Sequence, residues 1–234
     1  LQLLEVMINH NVKKMVFSSS ATVYGSDANV PFREDMRTGM PCNPYGMSKL
    51  MIENILSDIQ KSDKSWHIIC LRYFNPVGAH PSGLIGEDPS GIPNNLMPFL
   101  TQTALGVRDM LRIFGGDYPT PDGTAIRDFI HVVDLAKAHI AALQKCQGKT
   151  GFRIVNIGTG TGYSVFEVLR TFEKTNKVKI PFSVVDRRIG DAAVSLADIK
   201  LAKSFLSWQA SLGLEAMCRD SWRWQIKNPD GFKE

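Results

Sequence analysis

The feature that most constrains this chain is the order strand, helix, strand in its first third. Met15-Val16-Phe17 is a short apolar run ending in Ser18-Ser19-Ser20, and His67-Ile68-Ile69-Cys70-Leu71-Arg72-Tyr73 is a second apolar run. Runs of this length read as buried strands. Between them, Pro44 after Asn43 opens a helix whose apolar face carries Met51, Ile52, Ile55, Leu56 and Ile59. Two buried strands joined by a helix form a βαβ unit, which requires a parallel sheet covered by helices. Ligands of such sheets bind at the carboxyl ends of the strands, and here that end is Ser18–Ser20.

The rest of the chain fits the same α/β class. Leu1, Leu4, Met7 and Ile8 recur at helical spacing and stop at Asn9-His10-Asn11. The stretch from Pro76 to Pro98 is rich in Gly, Pro, Asn and Ser, which places a boundary near Pro76 and a ligand-facing loop after it. Two units follow: residues 1–76, part of a parallel Rossmann-type sheet, and residues 77–234, a smaller mixed α/β unit. In the second, helices are expected over Leu96–Val107, Val133–Gln144, Ser164–Asn176, Ala197–Phe205 and Leu214–Ile226. Strands are expected over Met110–Phe114, Asp128–Val132, Arg153–Ile157 and Phe182–Val185, and Ser164 with Glu167 has capping-box spacing.

Composition narrows the function. With 44% hydrophobic and 21% charged residues the chain is an ordinary globular one, so disordered, collagen-like and coiled-coil classes are excluded. Its +4 charge is scattered, with Arg187-Arg188 the one adjacent arginine pair, which argues against nucleic acid as a partner. No apolar run approaches the roughly 18 residues of a membrane helix. Cys42, Cys70, Cys146 and Cys218 form no CxxC pair, and no His stands at zinc-ligand spacing from them; a reducing, cytoplasmic setting follows. His131 and His139 lack an HExxH pattern, so no metal is expected.

Chemistry concentrates in two places. Tyr45-Gly46-Met47-Ser48-Lys49 puts a phenol and an ammonium on one helix face, where the ammonium favours the phenolate and equips it as a general base for a hydroxyl. Alone, such a pair is most often an exposed helix face. Ser18-Ser19-Ser20-Ala21-Thr22-Val23-Tyr24-Gly25 supplies hydroxyls at a strand end, and together they suggest a Ser/Tyr/Lys trio.

These residues resemble the extended short-chain dehydrogenase/reductase family, and within it the UDP-hexose 4-epimerases. The resemblance is carried by FSSSATVYG at 17–25, PYGMSK at 44–49, LRYFNPVGAHPSG at 71–83, GEDPSGIPNNLMPF at 86–99, IFGGDYPTPDGTAIRDFIHVVDLA at 113–136 and RRIGD at 187–191. It implies NAD as cofactor and reversible interconversion of UDP-glucose and UDP-galactose through a 4-keto sugar, within galactose metabolism. Tyr45 is then the base for the sugar 4-hydroxyl, Ser20 steadies the sugar oxygen, and Lys49 holds the cofactor ribose. Ser18 and Tyr73 also contact the cofactor.

For the substrate, the resemblance implies contacts from Ser20, Thr22 and Phe74, from Asn75 to the diphosphate, and from Asn94, Asn95 and Leu96 to sugar and nucleotide. Leu111 and Phe114 flank uracil, Phe129 stands where many members have tyrosine, Arg127 and Arg188 grip the diphosphate, and Asp191 accepts from a ribose hydroxyl. Planar guanidinium groups suit phosphate oxygens. A homodimer through helices such as Leu1–His10 and Tyr45–Gln60 is also implied.

Three features modify this reading. Gly158-Thr159-Gly160-Thr161-Gly162 imitates a dinucleotide fingerprint, but Tyr163 occupies the last glycine position; these glycines read as a tight turn before Ser164. Ala21-Thr22 replace the acidic pair of related dehydratases, which favours epimerisation over loss of water. Ser195 replaces a tyrosine that narrows the sugar pocket in some members, so N-acetylated UDP-sugars are expected as further substrates. The comparison also implies opening βαβ units before Leu1, of about 100 residues. On that expectation residues 1–234 alone hold no NAD, do not epimerise and tend to aggregate through an open sheet edge. The competing readings are a UDP-sugar-binding fragment without catalysis and another NAD-dependent dehydratase or decarboxylase of UDP-sugars.

Overall fold

The apolar run and the three serines after it form a single strand. A computed structural model of the chain describes residues 1–25, 30–38, 41, 43–148 and 150–232; Cys42 lies outside them. Helix α1 (Gln2–Asn9) leads into strand β1 (Lys14–Ser20) and a 3₁₀ turn at Ala21–Tyr24. Helix α2 (Pro44–Ser62) starts at Asn43, whose side chain accepts from the Gly46 N–H, with Pro44 where a missing N–H costs nothing. Strand β2 (His67–Tyr73) then runs parallel to β1, in register from Lys14 beside His67 to Ser20 beside Tyr73. Beyond β2 the order is β3 (Asn75–Val77), α3 (Leu96–Ala104), β4 (Leu111–Phe114), β5 (Ile126–His131), α4 (Val132–Lys145), β6 (Gly151–Ile157), β7 (Gly162–Ser164), α5 (Val165–Asn176), β8 (Phe182–Val185), β9 (Val194–Ser195), a π turn (Ala202–Leu206) and α6 (Leu214–Lys227).

The first sheet is not confined to residues 1–76, as the sequence suggested. Strand β6 returns to pair with the far edge of β2, parallel, with Ile157 beside Tyr73. The reason lies in β2, which buries side chains on both faces. Ile68 and Cys70 pack with Leu4, Leu56 and Trp66 beneath α1 and α2. Ile69 and Leu71 pack with Leu135, Ala138 and Ala142 of α4 on the other side. A strand buried on both faces needs backbone partners on both edges, and the apolar Phe152–Ile157 segment supplies the second.

Between β2 and β6, and again after β6, the chain runs through a second layer. There β3 and β9 run parallel to β5, β7 runs antiparallel to it, and β4 pairs with β8. Leu100, Leu111, Ile113, Phe129, Val168, Phe172 and Met217 fill the core that joins these strands to α3, α5 and α6. The capping box is present: Ser164 Oγ accepts from the Glu167 N–H, and the Glu167 carboxylate accepts from the Ser164 N–H. Two expected helices are shorter. The α3 helix ends at Ala104, two residues before Gly106 takes a left-handed φ of +83°. Ala197 is not helical but bridges to Phe32, because its small side chain sits in the core beside Phe74; helical backbone begins only at Lys200.

Candidate active site

Tyr45, Lys49 and Ser20 come together where β1, β2 and α2 meet. Lys49 Nζ donates to the Ser18 carbonyl (2.9 Å) and lies 5.5 Å from the centre of the Tyr45 ring. The Tyr45 ring is half-exposed, so the phenol borders solvent while its ammonium partner is anchored to the strand. Tyr73, in register with Ser20, is pushed up in pKa by burial and by the adjacent Tyr45 phenol. Gly46 brings the start of α2 against the 3₁₀ turn: a Cβ there would stand 2.9 Å from Pro41 Cβ and 3.1 Å from the Thr22 carbonyl oxygen.

The serines have different environments. Ser20 Oγ accepts from the Thr22 N–H (3.2 Å) and from Thr22 Oγ1–H (2.9 Å), which occupies its lone pairs and leaves its own proton as the free donor. Ser18 Oγ lies 2.8 Å from His139 Nε2; because His139 Nδ1 faces the Leu135 carbonyl and must donate to it, Ser18 donates to Nε2. The Thr22 side chain is exposed and Ala21 is buried, so neither supplies an acid or base beside Ser20.

A cleft of about 1110 Å³ starts at Asn75, two residues beyond Tyr73, and Tyr45, Lys49, Ser20 and Thr22 are not part of its lining. Its lining includes Asn75, Asn94, Asn95, Leu96, Leu111, Phe114, Arg127, Phe129, Arg188 and Asp191, all of which the motifs single out. Arg188 lies over Phe114, with its guanidinium carbon 3.9 Å from the ring centre. Arg127 is largely buried: its Nη1 donates to the Ile126 and Ala192 carbonyls, and its Nη2 lies 3.6 Å from Asp191. Burial pulls the Arg127 pKa down and Asp191 opposes that shift. Asn95 precedes α3 but donates to Glu87 instead of capping, so no side chain caps α3, and its first residue, Leu96, lines the cleft. Arg108 and Arg112 also line it, giving four arginines against Asp109 and Asp191, a balance suited to a polyanion.

Not every candidate reaches the cleft. Phe74 is buried with Tyr24, Phe32 and Ala197 beneath the 3₁₀ turn. Ser195 stands beside Arg127 in the β5–β9 register but outside the lining. The glycine-rich turn has an internal partner: the Asp128 carboxylate accepts from the Thr159 and Gly160 N–H groups, the donors a phosphate would need. Among the described residues no three His, Cys, Asp or Glu side chains cluster as metal ligands, and no helix is long and apolar enough to cross a membrane.

A family model described as the NAD dependent epimerase/dehydratase family matches residues 1–158. The chain belongs to that family. It is 56% identical over 232 residues to UDP-glucose 4-epimerase of Bos taurus, covering 99% of this chain and 67% of the relative. It is 55% identical to UDP-glucose 4-epimerase of Bacillus subtilis (strain 168), covering 99% and 68%. Among solved structures, UDP-glucose 4-epimerase from Bifidobacterium longum in complex with NAD+ and UDP superposes with a TM-score of 0.94 at 52% identity, over 98% of this chain and 68% of that one.

The residues on the epimerase face fit one side of NAD. The Lys49 ammonium keeps donors beyond its bond to Ser18, and with Tyr45 it presents a donor set suited to a ribose diol at the sheet's carboxyl edge. The pyrophosphate cradle is a separate matter, since Asp128 already occupies the glycine-rich turn. Three groups to which the sequence reading gave no site role also belong here: Arg108 in the cleft, His139 behind Ser18, and the Glu53–Arg72 pair between α2 and β2. Arg108 gave no signal because a lone arginine in a turn has no pattern. His139 and Glu53 are visible only once distant segments pack together.

Proposed function

We infer that the protein catalyses NAD-dependent interconversion of UDP-glucose and UDP-galactose at C4 of the hexose, as an isomerase. What carries this reading is the anchored Tyr45–Lys49 pair, with the Ser20 hydroxyl free to donate, together with an arginine-lined cleft that starts at Asn75. NAD, which Lys49 and Tyr45 would hold through its ribose, would supply the hydride acceptor and donor for C4 of the sugar. The chain's own residues handle the proton and the anion. Tyr45 removes the 4-hydroxyl proton and gives it back, Lys49 favours the phenolate and holds a ribose hydroxyl, and Ser20 donates to the sugar oxygen. Arg127 and Arg188 bind the diphosphate, Phe114 and Leu111 flank the base, and Asn75, Asn94, Asn95 and Asp191 fix sugar and ribose. Ala21 and Thr22 offer no acid for loss of water, so the 4-keto sugar is reduced rather than dehydrated.

The test is turnover of UDP-galactose by the complete NAD-loaded protein. UDP-glucose as the product supports the reading; UDP binding without NAD or turnover contradicts it, and release of a dehydrated or decarboxylated sugar points to a different reaction. The small side chain of Ser195 supports acceptance of N-acetylated UDP-sugars, and failure to epimerise UDP-N-acetylgalactosamine alongside active UDP-galactose turnover would refute that part. Exposed Leu3, Val6, Met51, Ile52 and Ile55 on α1 and α2 support a homodimer, and a monodisperse monomer at micromolar concentration would count against it. The buried, unpaired thiols Cys70, Cys146 and Cys218 support a cytoplasmic setting.

A further inference from the structure

One turn beyond Lys49 on α2 stands Glu53, buried and ion-paired. Its Oε1 accepts from Ser19 Oγ (2.5 Å) and Arg72 Nε (2.9 Å), and its Oε2 accepts from Arg72 Nη2 (2.6 Å). Both side chains of the pair are 3% exposed. Arg72 also lies 4.8 Å from the centre of the Tyr24 ring, whose hydroxyl donates to Asn156 Oδ1 on β6 (2.7 Å). Burial alone would depress the Arg72 pKa, but the Glu53 carboxylate and the Tyr24 phenol together outweigh it and the group is held raised.

Stability does not explain such a pair. Removing two charges from water is expensive, and a buried ion pair does no better on average than apolar side chains of the same volume. Here one guanidinium nitrogen, Arg72 Nη1, is buried without a partner among the described residues, so the geometry there is not fully satisfied. Its placement is what stands out. Ser19 lies between Ser18, whose carbonyl accepts from Lys49, and Ser20, the hydroxyl donor. Arg72 precedes Tyr73, which abuts the Tyr45 phenol. Glu53 shares the helix face of Tyr45 and Lys49, since residues four apart stack along a helix. Each proton-transfer group is therefore adjacent to a member of this network.

We propose that the Glu53–Arg72 pair, with Ser19, is a positioning device that fixes the rotation of α2 against β1 and β2, so that Tyr45, Lys49 and Ser20 meet in one geometry. Lys49 to Ser18 and Glu53 to Ser19 form two successive stitches between helix and strand, and the second restricts rotation about the first. The proposal rests on the epimerase reading, in which a misplacement of about 1 Å at the proton-transfer group costs on the order of a hundredfold in rate.

The experiment compares the complete NAD-loaded wild type with two variants. Glu53→Leu/Arg72→Met replaces the pair by apolar side chains of similar volume; Ser19→Ala removes one stitch and leaves the pair. Thermal midpoint, NAD content per chain and UDP affinity are measured beside kcat and KM. The double variant should melt close to the wild type, keep its NAD, bind UDP within about twofold, and lose at least about tenfold in kcat with KM nearly unchanged. Ser19→Ala should lose about two- to fivefold in kcat with the same split. A folded, NAD-loaded double variant with wild-type kcat overturns the proposal. If that variant does not fold, Ser19→Ala with wild-type kcat overturns it. A wild type that binds UDP and NAD without turnover overturns the functional reading, and this proposal with it.

Discussion

Lys49 illustrates how one side chain joins scaffold to chemistry: it is bonded to the Ser18 carbonyl and lies beside the Tyr45 ring. Arg188 has a complementary place, lying over Phe114 at the cleft wall with the Asn94 carbonyl 3.4 Å away. Arg188→Ala should therefore weaken UDP binding about 10- to 100-fold by calorimetry, the scale of lost hydrogen bonds to a charged group, while kcat at saturating substrate changes much less. Burial raises the thiol pKa of Cys70 and Cys146 and pushes Cys218 up to about 12. In the native protein these three thiols should react slowly with a disulfide reagent at pH 8 and quickly once unfolded; rapid native labelling at any of them would contradict their burial. At this scale the sequence is legible where a local rule applies. Tyr45 and Lys49 obey helical spacing, whereas Arg72 sits inside an apolar run, and its partner Glu53 is recognisable only from the fold.

Among the elements, the start of α2 and the start of α5 are the most sharply specified. Gly46 leaves no room for a Cβ between Pro41 and the Thr22 carbonyl, so Gly46→Ala should push α2 away from the Ser20 turn. A steady-state comparison should show a fall in kcat of at least about tenfold, larger than any change in UDP affinity. Ser164→Ala removes the α5 cap and a bond to Asp122, and should cost about 1–2 kcal/mol in denaturant unfolding without altering kcat. This capping box is legible from Ser164 and Glu167 alone because it is local. The membership of β6 in the first sheet is not, because nothing in Gly151–Ile157 names its partner. That pairing is decided by β2, whose second edge stays open until a strand more than seventy residues later closes it.

Across the whole molecule, the two layers are joined through α4 and α6. His131, at the start of α4, accepts from the Val133 N–H through Nδ1 and faces Asp220 of α6 with Nε2 at 3.3 Å. Burial lowers the His131 pKa below its ordinary value of 6.5, against the opposing pull of Asp220. The unfolded chain therefore takes up this proton first as pH falls. The contribution is fully present above about pH 6.5 and is lost progressively below it. Denaturation at pH 7.5 and 5.5 should show a loss for the wild type that His131→Gln reduces; an equal loss in both would contradict this assignment. The α/β class and the crossover were legible from strand–helix–strand order, because periodicity is a chain-local signal. The cleft was legible only through family motifs, since Asn75, Leu111, Arg127 and Arg188 converge from four separate segments.

The most direct test of the whole account is turnover of UDP-galactose by the complete NAD-loaded protein, for wild type and Tyr45→Phe, with UDP affinity measured on both. The wild type should produce UDP-glucose, and Tyr45→Phe should lose about 10²–10⁴-fold in kcat with UDP affinity kept within about twofold. A Tyr45→Phe protein that still turns over at the wild-type rate, or a wild type that makes no UDP-glucose, would contradict it.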